Sequence, residues 1–151
     1  MIRLETILVP IDFSEPANQA LRYACELAVR FKARLFLLNV VQPLAVDVPY
    51  AGAMSDELLH PETGARNQLD ELEVPQSEKI ESIEREVRSG PPFVEIVRYA
   101  RERNVDLIVM GTHGRSGLSH ALLGSVAEKV VRKASCPVLT VRPEGHQFLM
   151  P

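Results

Sequence analysis

The fold is decided by residues 7–41, ILVPIDFSEPANQALRYACELAVRFKARLFLLNVV. The stretch begins and ends with short apolar runs, residues 7–11 and 35–41, that are typical of strands buried on both faces. Between them, Ser14 is a good helix N-cap, Pro16 fits the first turn, and apolar residues follow at helical spacing. Two buried strands joined by a helix are almost always parallel. The opening therefore predicts a strand–helix–strand unit of a parallel sheet.

The second half of the chain repeats this order. Pro91 and Pro92 open a predicted helix, and residues 105–110, VDLIVM, form a third buried strand. A helix over residues 126–134 and a last strand at residues 137–141 follow. Alternating strands and helices predict one α/β domain, an open, parallel, doubly wound sheet of Rossmann-like type with helices on both faces.

The middle of the chain, residues 43–92, carries weaker signals. A thin apolar stripe favours a helix over residues 61–72. Residues 79–88 alternate apolar and charged side chains, which favours an edge strand protected by charge, with a charged helix as the alternative. We expect residues 1–142 to form the domain and residues 143–151 to form a flexible C-terminal tail.

Composition excludes several classes of protein. The 151-residue chain is 46% hydrophobic and 25% charged, the balance of a globular domain rather than of a disordered one. A net charge of -3 provides no basic field for nucleic acid. Cys25 and Cys136 are far apart and outside any CxxC pair, which argues against a disulfide framework or a zinc site. With no long apolar run, we expect a soluble, cytoplasmic protein without a nucleic-acid or membrane partner.

The most informative motif is residues 111–125, GTHGRSGLSHALLGS. Three glycines at three-residue spacing come directly after a predicted strand, and a fourth opens the next helix beside Ser125. Glycines let a backbone approach a phosphate, and a helix N-terminus adds partial positive charge. His113, Arg115 and His120 are nearby groups that could carry positive charge. The motif predicts a phosphate site, and a glycine-rich connection without a ligand is the alternative.

Competing motifs do not fit. The chain has no GxxxxGK[ST] loop, and Ser119 lies too far beyond the preceding strand to be a nucleophile elbow. Asp12 follows the first strand as in phospho-accepting receiver domains, but no lysine follows the last strand. The four histidines show no metal-ligand spacing, so we expect no metal site built by the protein.

These residues resemble the universal stress protein family. The pattern Gly111-x2-Gly114-x9-Gly124-Ser125 is similar to that family's ATP-binding motif. Residues 7–14, 37–40, 106–114 and 135–139 are similar to other blocks of the family, although a histidine is commoner there than Asn39. The resemblance covers roughly residues 4–42 and 79–142 and leaves residues 43–78 uninformative.

The resemblance implies a five-stranded sheet in the order 3-2-1-4-5 and an ATP site between strands 1 and 4. Asp12 and Pro10 would flank the adenine and ribose, and Val40 would contact the base through its backbone. The phosphates would lie on the glycine motif and the helix that follows it. The residues expected to contact ATP are Pro10, Asp12, Val40, Met110, Gly111, His113, Gly114, Gly124, Ser125 and Val126.

The resemblance also implies a function. We expect a dimeric, ATP-binding regulatory protein of the stress response, with Mg²⁺ accompanying the ATP. The alternatives are a weak ATPase, for which no catalytic base is evident, and a nucleotide-free dimeric interaction module. In the implied strand order, residues 137–141 lie at an edge of the sheet without any charged residue. An uncharged edge invites pairing, so we expect a homodimer through this strand.

Overall fold

The computed structural model describes residues 1–43, 60–113 and 123–143. Within those ranges, strands and α-helices alternate along the chain, and a single 3-10 turn, Ser77–Lys79, precedes the third strand. In chain order the elements are β1 Thr6–Pro10, α1 Glu15–Phe31, β2 Arg34–Val41, α2 Pro61–Glu71, β3 Ile83–Ser89, α3 Pro92–Glu102, β4 Leu107–Gly111, α4 Ser125–Lys133 and β5 Val138–Val141.

The strands form one parallel sheet in the order β3-β2-β1-β4-β5. At the centre, Leu8 of β1 lies opposite Phe36 of β2 and Ile108 of β4. The chain builds the sheet outward from β1 to β3, then returns to the other side of β1 with β4. Ligands of such sheets bind at this switch point, beyond the carboxyl ends of the strands. The predicted fold class and strand order are confirmed.

The sheet is covered on both faces. The α1 face carries alternate residues of the central strands, such as Ile7, Leu35 and Val109, and Leu69 of α2 joins the same cluster. The opposite face buries Phe36 against Tyr99 of α3, with ring centroids 5.9 Å apart in an edge-to-face arrangement. Because side chains alternate along a strand, each run of consecutive apolar residues supplies both layers.

The amino ends of β1 and β4 are tied together by one carboxylate. Asp106 Oδ2 accepts hydrogen bonds of 2.9 Å from both the amide and the hydroxyl of Thr6. The Thr6 hydroxyl oxygen also accepts from the amide of Asp106 at 3.0 Å. These contacts fix the relative position of the two strands whose opposite ends flank the switch point.

The middle of the chain differs in detail from expectation. The predicted helix at 61–72 is present as α2, but the strand predicted over residues 79–88 begins only at Ile83. Lys79, Ile80 and Glu81, just before the strand, carry the same mixture of charged and apolar side chains and so hide where the strand starts. β3 is an edge strand, as predicted, and Arg88 within it pairs with Glu86 at 2.8 Å and Glu102 at 2.7 Å.

Two further expectations concern the ends of elements and of the chain. Phe31, which continues the apolar spacing of α1, is exposed, because the helix ends there and Lys32 adopts a left-handed conformation with φ 54°. Of the predicted tail at 143–151, everything from residue 144 onward lies outside the described residues. No helix in the described ranges is long and apolar enough to cross a bilayer.

Candidate functional site

A cleft of about 900 Å³ opens at the carboxyl ends of the central strands. Its walls come from the turn between β1 and α1, the end of β2, part of α2, the start of α3, the end of β4 and the first turn of α4. This is the switch point of the sheet, where α/β folds bind their ligands. The cleft therefore lies where the fold predicts a site.

The structure brings most of the predicted site residues together. Those that line the cleft are Pro10, Asp12, Val40, Met110, Gly111, His113, Gly124, Ser125 and Val126. Gly114, together with Arg115 and His120, lies outside the described residues. A second cavity, of about 680 Å³, is lined by α1, by the segment after α2 and by Arg85, and contains none of the predicted residues.

The turn after β1 holds Asp12 in place. Asp12 Oδ1 accepts a hydrogen bond of 3.0 Å from the amide of Ser14 and another from the Ser14 hydroxyl. Ser14 in turn caps α1, because its Oγ accepts from the amide of Ala17 at 3.4 Å. Phe13, between them, has a positive φ of 63°, which makes the turn sharp. A carboxylate is thus fixed at the mouth of the cleft by the same contacts that start α1.

The first turn of α4 offers backbone donors. The first hydrogen bond of this helix runs from the amide of Glu128 to the carbonyl of Gly124, at 2.9 Å. The amides of residues 125–127 therefore have no acceptor within the helix, and they lie at its positive end. Ser125, Val126 and Ala127 all line the cleft. Such an arrangement suits an anion.

Gly124 differs from the others in this turn. Its amide, expected to hold phosphate, donates instead to the carbonyl of Thr112 at 2.6 Å. A Cβ on Gly124 would lie 2.9 Å from that same carbonyl oxygen, closer than side chains tolerate. In this structure the amide of Gly124 is thus engaged within the protein, and the glycine is needed because two backbone segments touch there.

Gly111 also allows two backbone segments to approach closely, here the end of β4 and the first turn of α1. A Cβ at this position would lie 2.8 Å from the Cβ of Pro16 and 3.0 Å from its carbonyl carbon. The end of β4 is thereby pressed against the first turn of α1. The contact joins the two walls of the cleft, one bearing Asp12 and the other leading to His113.

His113 follows β4 on the cleft wall. Its Nδ1 lies 3.0 Å from the hydroxyl of Thr112, and its Nε2 is buried without a hydrogen-bond partner among the described residues. The position of this imidazole agrees with its inclusion among the candidate ligand contacts. Thr112, which the motif does not single out, is buried and contacts both His113 and Gly124.

Sequence reasoning missed two parts of the site. From α2, Gly64, Ala65 and Gln68 line the cleft, although residues 43–78 gave no functional signal. From β2, Asn39 lines it too, and its Nδ2 donates to the carbonyl of Ile11 at 2.7 Å. A polar residue inside an otherwise apolar strand was the available signal for Asn39. Within the described ranges, no three His, Cys, Asp or Glu side chains form a group that could hold a metal.

Comparison with known proteins agrees with this geometry. The model of the universal stress protein family matches residues 3–142. A universal stress protein of Methanocaldococcus jannaschii is 37% identical over 139 residues, which cover 90% of this chain and 81% of the relative. Universal stress protein UspA from Lactobacillus plantarum superposes with a TM-score of 0.76 at 31% identity, covering 93% of this chain and 99% of that one.

A second solved structure was determined with a ligand. It is a universal stress protein in complex with cAMP, with a TM-score of 0.63, 25% identity and coverage of 93% of this chain and 98% of that one. The sheet order, the cleft and these matches lead to one assignment. The chain belongs to the universal stress protein family.

Proposed function

We propose that this chain binds ATP in the cleft at the switch point and acts as a dimeric, nucleotide-dependent regulatory protein of the stress response. One observation carries the proposal: a fixed carboxylate, Asp12, lines the same cleft as the first-turn amides of α4, which have no acceptor within their helix. A carboxylate suits the hydroxyl groups of a ribose, and helix amides suit phosphates.

The phosphate end of the nucleotide would lie on α4. The amides of residues 125–127 can donate to phosphate oxygens, and the hydroxyl of Ser125 adds another donor. Gly111 and Gly124 keep the surrounding backbone close-packed at this end of the cleft. Mg²⁺ would arrive on the phosphates, because hard divalent cations prefer phosphate oxygens.

The nucleoside end would lie between β1, β2 and α2. Asp12 would accept from the ribose, Pro10 would pack beside it, and the backbone of Val40 would contact the base. The α2 wall leaves room, because no heavy atom lies within 4 Å of the position that a Cβ on Gly64 would take. The family member in complex with cAMP supports an adenine nucleotide as the ligand.

The dimer and the location complete the proposal. β5 lies at the edge of the sheet, and Leu139 on it is exposed, which favours pairing with a second copy. Cys25 and Cys136 are both free thiols, which fits a reducing, cytoplasmic environment.

Mass spectrometry of gently purified protein tests the proposal, followed by calorimetric titration with ATP and Mg²⁺. Copurified ATP with measurable affinity supports it. Copurified ADP alone would favour slow hydrolysis, for which His113 is an imidazole that lines the cleft. Absence of any nucleotide, together with no heat of binding for ATP, would contradict the proposal and favour the nucleotide-free interaction module.

A further inference from the structure

The orientation of the Asn39 side chain is fixed. Its Nδ2 donates to the carbonyl of Ile11 at 2.7 Å, and the amide of Ile11 donates to the carbonyl of Leu38 at 2.8 Å. Turning the side-chain amide over would place Oδ1 against the Ile11 carbonyl, two acceptors without a proton between them. The nitrogen of Asn39 therefore faces β1, and the oxygen is left as an acceptor.

Among the described residues, that acceptor has no donor. Asn39 is 7% exposed, and its Oδ1 is buried without a hydrogen-bond partner in the part of the chain that the structure describes. Buried polar atoms without a partner are rare in native proteins because the lost hydration is not replaced. Asn39 lies in the cleft wall between Leu38 and Val40, so a bound ligand is the natural source of a donor.

Position, and not burial alone, singles Asn39 out. Gln19 on α1 is similarly buried, at 8% exposure, and its Oε1 also has no partner among the described residues. Gln19, however, is not among the residues that line the cleft. Both residues carry a buried amide oxygen without a partner among the described residues, but only that of Asn39 belongs to a residue lining the cleft. Gln19 therefore serves as a matched control for Asn39.

The oxygen must be uncovered for a ligand to reach it, and we assign this uncovering to a displacement of α2, which lines the same cleft. Asn39 points to the same face of the sheet as Leu37, beneath α1 and α2, because alternate residues of a strand share a face. α2 buries only Ala65 and Leu69, so a small displacement of this helix breaks few apolar contacts. A ligand with an N–H donor on its edge could then form a hydrogen bond to Asn39 Oδ1.

We propose that Asn39 selects the base of the nucleotide, and this inference rests on the proposed function. Its Oδ1 accepts a hydrogen bond from the exocyclic amine of a 6-aminopurine. Adenine presents a donor at this position, whereas guanine and hypoxanthine present an oxygen acceptor. An acceptor facing Oδ1 leaves both groups buried and unpaired. The expected preference for the 6-amino over the 6-oxo base is about tenfold to a hundredfold.

Calorimetric titration with three nucleotides that differ at C6 of the purine tests this role; the 6-oxo base also carries a proton on N1, which the 6-hydrogen base does not. ATP carries the 6-amino group, purine riboside triphosphate carries hydrogen there, and inosine triphosphate carries oxygen. The unaltered protein should bind ATP at least about tenfold more tightly than either analogue, which is the difference that one hydrogen bond makes. In Asn39→Leu the three affinities should become similar, while Gln19→Leu, the matched control, should keep the preference for ATP.

The outcomes separate this inference from the proposed function. Equal affinities of the unaltered protein for ATP and inosine triphosphate would overturn the role of Asn39 without any variant, so a misfolded Asn39→Leu leaves the test intact. A preserved preference in a folded Asn39→Leu would overturn it as well. Binding of no nucleotide at all would overturn the proposed function, and the inference with it.

Discussion

The amide of Gly124 lies 2.6 Å from the carbonyl oxygen of Thr112, and this hydrogen bond joins the end of β4 to the start of α4. The two ends of the segment 113–123 are thereby held together at the cleft. The glycine motif and the helix that follows it therefore have different roles. Gly111 and Gly124 allow backbone segments to touch, and we propose that the first turn of α4 supplies the donors for a ligand.

Gly124→Ala should weaken both the fold and nucleotide binding. The added Cβ would lie 2.9 Å from the Thr112 carbonyl oxygen, so the hydrogen bond must lengthen and the start of α4 must move. We expect a loss of about 1–3 kcal/mol in the free energy of unfolding, as for overpacked sites. ATP affinity should fall by about tenfold or more, since misplaced amides lose their hydrogen bonds. Urea denaturation and calorimetry measure the two effects.

Gly64→Ala is the matched control for stability. It places the same methyl group in the interior of α2, where no heavy atom lies within 4 Å. Because alanine is the better helix former, this variant should be more stable by about 0.5–1 kcal/mol. If Gly124→Ala unfolds at the same urea concentration as the parent and binds ATP equally well, the contact between Gly124 and the Thr112 carbonyl contributes neither to stability nor to binding.

Asp12→Ala should reduce ATP affinity while leaving the fold intact. The carboxylate accepts from Ser14 and lines the cleft, and we propose that it also accepts from the ribose hydroxyls of a bound nucleotide. Because the contact is to the sugar, affinities for ATP and GTP should fall by the same factor, about tenfold or more. Calorimetry with both nucleotides gives that factor.

Ser14→Ala separates the local role of Asp12 from its ligand role. Ser14 caps α1 through the amide of Ala17, so its loss should cost about 1 kcal/mol of stability. Its effect on ATP affinity should be much smaller than that of Asp12→Ala. Unchanged ATP binding in Asp12→Ala would show that the carboxylate serves the turn alone and that the ribose assignment is wrong.

Sequence reasoning located the elements whose pattern is local. β1 and β4 are continuous apolar runs, and α1 begins at a serine cap, so each can be identified without knowledge of its neighbours. The engagement of the Gly124 amide could not be identified, because its acceptor, the Thr112 carbonyl, is a backbone atom brought near by the fold. The same holds for Asn39, whose buried oxygen becomes visible only when β1 and β2 are placed side by side.

The Cys25 thiol should make stability fall in alkaline solution. Burial, with a smaller contribution from the charge of Glu26, raises the pKa of this thiol from its ordinary 9.0 to about 11. The unfolded chain therefore loses this proton at lower pH than the folded chain does. The contribution of Cys25 to stability is complete below pH 9.0 and declines as the pH rises toward about 11.

Comparison with Cys25→Ala isolates this effect from other groups that titrate in alkali. The free energy of unfolding of the parent should decrease more steeply between pH 9.0 and about 11 than that of the variant. Urea denaturation of both proteins across this interval measures the slopes. Parallel slopes would mean that Cys25 is no better shielded in the folded protein than in the unfolded chain.

Leu139→Lys should convert a dimer into monomers. β5 is an edge strand, and Leu139 on it is 38% exposed. Two copies of this strand meeting across a two-fold axis would bring the added charges close together, where they repel. Val141, at 7% exposure, packs in the core beside α1, so a lysine there would unfold the protein instead of testing the edge.

Ser89→Lys provides the control at the opposite edge of the sheet, because Ser89 is exposed at the end of β3. Sedimentation should find the parent and Ser89→Lys as dimers and Leu139→Lys as a monomer, with all three melting cooperatively. A dimer that survives in Leu139→Lys would move the interface to another surface. A monomeric parent would end the proposal of a homodimer, while leaving ATP binding untouched, because the cleft is built from the described residues of one chain.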